Sequence, residues 1–138
     1  NVNRAQPGLA LDGVLVERMA AKGIELVVGA KRDPQWGPVV LVGLGGIWVE
    51  AIGDVRLLPP DLDEKSIVAE IEKLRSAILF RGFRGSPALD IEAVARTAFL
   101  VGQLMRTMPE ISEIDINPLF VHGKSDGVTA VDALIVTC

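Results

Sequence analysis

The stretch Glu113-Ile114-Asp115-Ile116-Asn117-Pro118-Leu119 constrains the fold more than any other part of the chain. Its side chains alternate, so in an extended backbone Ile114 and Ile116 face one way and Glu113, Asp115 and Asn117 the other. Pro118 disfavours the helical region for Asn117, which makes the segment a strand. Residues 121–128, with Gly123 and Gly127 among polar neighbours, read as a hairpin loop. If Val121 pairs with Val128, the same antiparallel register sets Asn117 directly opposite Asp132. Directly opposed side chains have Cβ atoms about 4.5–5.5 Å apart. Asp115, Asn117 and Asp132 then bring three oxygen donors to one patch of sheet. A Mg²⁺ ion is commonly held this way, by one or two carboxylates together with waters and nucleotide phosphates. The plain alternative is a polar strand face that is merely solvated.

Composition excludes several classes. The net charge is −4 and Lys and Arg form no cluster, which argues against nucleic acid as the main partner. The longest apolar runs, such as residues 39–44, are far too short to span a membrane. Aromatic residues make up only 4%, so the core must be aliphatic. Cys138 is the single cysteine, which leaves no internal disulfide and fits a reducing cytoplasm. The chain starts at Asn1 rather than Met; residues 1–11 read as a lead-in from a missing upstream region, and residues 12–138 as one domain.

Along the chain, β-type runs are expected at residues 13–17, 24–30, 39–42, 47–52 and 55–58, with Gly53-Asp54 as a hairpin turn. Asp63 is positioned to cap a helix carrying Ile67, Ile71, Leu74 and Ile78. Asp90 caps a longer helix with Ile91, Val94, Ala98, Val101, Leu104, Met105 and Met108 on its core stripe, ended by Pro109. Strands, two helices, then strands imply an α+β fold, an antiparallel sheet with helices packed on one face.

Other candidates carry two readings each. A hairpin symmetric about Ala21 sets Glu17 opposite Glu25, a repulsive pair expected where something is bound; an irregular loop would leave both carboxylates solvated. Gly45-Gly46 offers unobstructed amides to an anion, or is only a turn. Arg81 and Arg84 could pair with phosphate or carboxylate, or anchor their loop on the surface, and His122, the only histidine, reads as a solvated turn residue rather than a catalyst.

Taken in order, residues 14–19 with Glu25, residues 41–50 around Gly43-Leu44-Gly45-Gly46, and Asp115-Ile116-Asn117-Pro118 with Asp132 resemble the second half of an ATP-grasp domain. The nearest resemblance is to NDP-forming acyl-CoA synthetases, relatives of the nucleotide-binding subunit of succinyl-CoA synthetase. It implies an acid–thiol ligase: acid + CoA + ATP (or GTP) ⇌ acyl-CoA + NDP + phosphate, through an acyl phosphate and a phosphohistidine on another domain. It implies that Glu17, Arg18 and Met19 form the hinge that reads adenine, that Ala20 contacts the nucleotide by its backbone, and that Glu25 binds the ribose hydroxyls. It implies Gly45 and Gly46 near the transferring phosphate and Mg²⁺ on Asn117 and Asp132, with Asp115 where relatives carry Glu. No catalytic side chain is carried over to this chain. The resemblance further implies missing partners, an N-terminal ATP-grasp half and the CoA-binding and phosphohistidine domains, so that this half alone is inactive. A regulatory or assembly module that keeps the fold without catalysis is the alternative.

Overall fold

The computed structural model describes residues 13–46 and 53–138. Two apolar runs, β1 (Ile24–Asp33) and β2 (Gly37–Leu44), fold back on each other around a turn that Asp33 organises. Its carboxylate accepts from the backbone N–H of Gln35 at 2.8 Å and of Trp36 at 2.9 Å, the local bonding that makes Asp a turn former. β3 (Val55–Leu58) pairs with β2. After the helices the chain returns as β4 (Ile111–Val121), which pairs with β1 on one side. Its other side takes β5 (Val128–Ala130) and β6 (Ala133–Thr137). Every pairing is antiparallel, and the order β3-β2-β1-β4-β5, with β6 also on β4, gives the expected sheet.

The helices cover one face. α1 (Glu64–Ile71) begins as expected, with Asp63 accepting from Ser66 N–H at 2.7 Å. It does not continue to Ile78. The buried carboxylate of Asp54 takes the N–H groups of Arg75 at 2.9 Å and Ser76 at 2.8 Å, the donors a continuing helix would give to Ile71 and Glu72. The chain turns and restarts as α2 (Ala77–Phe80) in a new phase, burying Ala77 and Phe80 while Ile78 is 58% exposed. Asp54, read from the sequence only as part of a hairpin turn, is thus a buried capping group.

α3 (Ile91–Thr107) carries Val94, Ala98, Val101 and Met105 into the core against β1, β2 and β4. Each full burial of Val or Met contributes about 1.5–3 kcal/mol. The stripe is narrower than its sequence spacing implied: Leu104 and Met108 lie largely at the surface. Asp90 caps α3 through Ala93 N–H at 3.1 Å, and its second oxygen accepts from Gly127 N–H at 3.0 Å, tying the β4–β5 loop to the helix. Arg32 secures the other end, donating to the carbonyls of Met105 at 2.7 Å, Met108 at 3.3 Å and Ile111 at 3.1 Å. A cation at a helix C-terminus satisfies its orphan carbonyls and complements the helix dipole.

The strand expected at residues 13–17 does not form. This segment has no partner strand among the described residues, and Val14, Leu15 and Val16 are all more than 80% exposed. A β-type run becomes a strand only when its backbone pairs and one face buries. The strand expected at 47–52 lies outside the described residues. Among the described residues no helix is long and apolar enough to cross a membrane.

Candidate functional site

The face of the sheet away from the helices carries the site. Leu26, Val28 and Ala30 point into the core, so alternation turns Glu25, Val27, Gly29 and Lys31 outward. The neighbouring strand presents Glu113, Asp115 and Asn117 on the same side. Between them runs an open groove of about 450 Å³, within the range of small-molecule sites. Val27, Val39, Leu41 and Leu57 form its apolar half, and Lys31, Glu113, Asp115 and Asn117 its polar half.

The register read from the hairpin holds along β4 from Val121 to Glu113 and shifts only at Ile111, which pairs with Thr137. Val121 pairs with Val128, Leu119 with Ala130, Ile116 with Ala133 and Glu113 with Val136. Within it Asn117 N–H donates to the Asp132 carbonyl at 3.2 Å, and Val131 N–H to the Pro118 carbonyl at 3.1 Å. On the β1 side the register shifts: Leu26 faces Leu119 but Val28 faces Ile116, so Asn117 and Pro118 together oppose Val27. This bulge, with its cis Asn117–Pro118 bond, sits at the exposed Asn117 side chain. Bulges re-aim side chains and are enriched beside active sites.

Asp115 lies between Gly29 of β1 and Leu134 of β6. Burial, and then the nearby charges of Glu113 and Asp132, push its pKa above the ordinary aspartate value. Gly29 places no side chain beside it; a Cβ there would press on the Ile114 carbonyl at 3.2 Å and meet Asp115 Oδ1 only in ordinary contact at 3.8 Å. Among the described residues no three His, Cys, Asp or Glu side chains gather into a closed metal cage. Asp115, Asn117 and Asp132 form instead an open set of two carboxylates and an amide.

At one end of this face the exposed Glu25 meets the glycine pair. Gly45 N–H donates to the Glu25 carbonyl at 2.8 Å. Gly46 adopts φ +64°, and a Cβ there would collide with the Glu25 carboxylate. The positive φ favours glycine here, whereas the exposed Glu25 side chain could swing away from a Cβ. Glu25, Gly45 and Gly46 are therefore brought together as one unit, next to the row of Asn117 and Asp132. Glu17 is not opposite Glu25: Glu25 pairs with Phe120 of β4. Glu17, Arg18, Met19 and Ala20 lie in irregular chain leading into β1, exposed except for the half-buried Ala20. His122 is half-buried, its Nε2 2.9 Å from Thr129 Oγ1, so it is a packed residue and not a solvated one. Sequence reasoning missed Gly29 and Lys31, although a period of two counted from Glu25 reaches both.

Comparison with known proteins agrees with this fold. Residues 1–137 match the family described as the ATP-grasp domain. The chain is 45% identical over 136 residues to a trans-feruloyl-CoA synthase from an unknown prokaryotic organism, covering 99% of this chain and 19% of that protein. It is 39% identical over 136 residues to the beta subunit of the ADP-forming acetate–CoA ligase I of Pyrococcus furiosus, covering 99% of this chain and 58% of the subunit. The dinucleotide-forming acetyl-coenzyme A synthetase 1 of Ca. Korarchaeum cryptofilum, solved with coenzyme A and Mg-AMPPCP, superposes with a TM-score of 0.81 at 38% identity. That match covers 86% of this chain and 55% of the other. The chain therefore spans little more than half of the two latter proteins and a fifth of the first. With its antiparallel sheet, its one-sided helices and a match across nearly its whole length, the chain belongs to the ATP-grasp family, among relatives that are ADP-forming acyl-CoA synthetases.

Proposed function

We propose that this chain is the nucleotide- and magnesium-binding half of an NDP-forming acyl-CoA synthetase, acting in acid + CoA + ATP (or GTP) ⇌ acyl-CoA + NDP + phosphate. The observation that carries this is Asn117 held opposite Asp132, one row from Asp115, with Asp115 and Asn117 lining the groove and Glu25 beside Gly45-Gly46 one strand repeat beyond Asn117. The donor set fits Mg²⁺: its oxygens are hard, and too few to enclose an ion, which leaves positions for phosphate oxygens and water. When bound there, the metal neutralises charge on the phosphates being transferred. Asp115, Asn117 and Asp132 supply the protein's share of that site. Glu25, exposed beside the glycine pair, is the residue we assign to accept from the ribose hydroxyls. Glu17, Arg18, Met19 and Ala20, which enter β1 directly, are the segment we assign to the nucleobase.

The apolar half of the groove supports a cover supplied by the rest of a longer protein. Leu57 is 66% and Leu134 57% exposed on the two flanks of this face. Relatives of greater length, one described with a phosphohistidine segment pointing towards its nucleotide-binding site, fit the same view. This half alone binds nucleotide but does not turn over. Calorimetric titration of the full-length protein with ADP and Mg²⁺ tests the assignment. Binding that is lost in Asp132→Ala and in Glu25→Gln supports it. A full-length protein that binds no nucleotide would instead be a module that keeps the fold without catalysis.

A further inference from the structure

Lys31 is the only cationic side chain lining the groove among the described residues. It stands on the same outward row of β1 as Glu25, Val27 and Gly29. Along a strand, successive outward side chains are about 7 Å apart, so Glu25 and Lys31 mark the ends of a track of about 20 Å. Asn117 and Asp132 lie one repeat from Glu25, Asp115 lies two, and Lys31 with Glu113 lies three. A nucleotide entering with its sugar at Glu25 and its metal at Asn117 and Asp132 therefore directs its terminal phosphate towards Lys31. We propose that Lys31 is a further phosphate-binding residue, positioned on the far side of Asp115 to hold the terminal phosphoryl group of a nucleoside triphosphate.

The ion pair with Glu113 does not account for Lys31 by itself. Its Nζ is 3.7 Å from Glu113 Oε2, with the two side chains 77% and 44% exposed. Exposed pairs of this kind contribute about 0–1 kcal/mol. Glu113 thus costs the ammonium little when a phosphate competes for it. A phosphate brings two or more charges and short charge-assisted bonds.

This inference rests on the nucleotide assignment of the groove, and the experiment separates the two. Affinities of the full-length protein for Mg-ADP and for Mg-AMPPCP, a non-hydrolysable triphosphate, are measured by calorimetry for wild type, Lys31→Met, Lys31→Gln and Lys31→Arg. Lys31→Met and Lys31→Gln should weaken AMPPCP about tenfold while ADP changes by less than about twofold. Lys31→Arg should restore most of the difference. Unchanged affinity for both nucleotides, or an equal loss of both, would overturn the role of Lys31. Wild-type ADP binding that survives Asp132→Ala would overturn the groove assignment itself.

Discussion

Asn117 and Asp132 face each other across β4 and the entry to β6, joined by a backbone hydrogen bond of 3.2 Å from Asn117 N–H to the Asp132 carbonyl. The Asp132 carboxylate also accepts from Ala133 N–H at 2.9 Å. Its backbone is pinned and its side chain is exposed. In the full-length protein Asp132→Asn should therefore cut phosphoryl transfer by about 100-fold, since metal charge stabilisation contributes several kcal/mol. The fold should be spared, with Tm unchanged to within about 2 °C. Steady-state rates at several Mg²⁺ concentrations, beside a thermal melt, check both.

Asp115 is held in a site that favours its neutral form, through burial and the charges of Glu113 and Asp132. Asp115→Asn should raise Tm in metal-free buffer by about 1–3 °C. The same variant should bind Mg-nucleotide more weakly. A lower Tm would show that the carboxylate holds the sheet together rather than serving a ligand.

Gly46 has a backbone conformation that other residues rarely adopt and abuts the Glu25 carboxylate. Gly46→Ala should cost about 1–2 kcal/mol by denaturant titration. It should also displace Glu25, weakening nucleotide binding beyond what the stability loss explains.

Asp54 gives a pH dependence of stability. Burial opposes its charge, yet Ser76 and the backbone of Arg75 outweigh it and hold its pKa below the ordinary 3.8. A depressed carboxylate pKa adds stability that is full above the unfolded value and is lost as pH falls through the folded one. Wild type should thus weaken as pH drops below about 4, and Asp54→Asn should show a shallower fall. At neutral pH Asp54→Ala should cost about 1–3 kcal/mol, because it strands the Arg75 and Ser76 amides. Urea titrations between neutral and acid pH measure both effects.

The parts legible in the sequence share a feature: a tight turn fixed their register. From Val121 and Val128 the pairing runs unbroken to Glu113 and Val136, so Asn117 and Asp132 could be matched by counting. The helix caps Asp63 and Asp90 were legible for a similar reason, since each bonds only three residues away. What failed depended on distant partners. The run at residues 13–17 looked like a strand but found none to pair with among the described residues, which removed the supposed Glu17–Glu25 hairpin. Ile78 kept helical spacing on paper, yet Asp54, far away in sequence, broke the helix before it. The bulge at Asn117-Pro118 belongs to the pairing of β4 with β1; Pro118 was its only local trace, and it pointed to a bulge only once β4 was known to be paired on both sides.

The most direct test of nucleotide and metal sharing this face is a Mn²⁺ titration of the full-length protein followed by water proton relaxation, with and without ADP. Asp115, Asn117 and Asp132 offer too few ligands alone, so Mn²⁺ should bind weakly without nucleotide and about tenfold or more tightly with it. Asp132→Ala should abolish that enhancement. Tight Mn²⁺ binding without nucleotide, untouched by Asp132→Ala, would contradict the site.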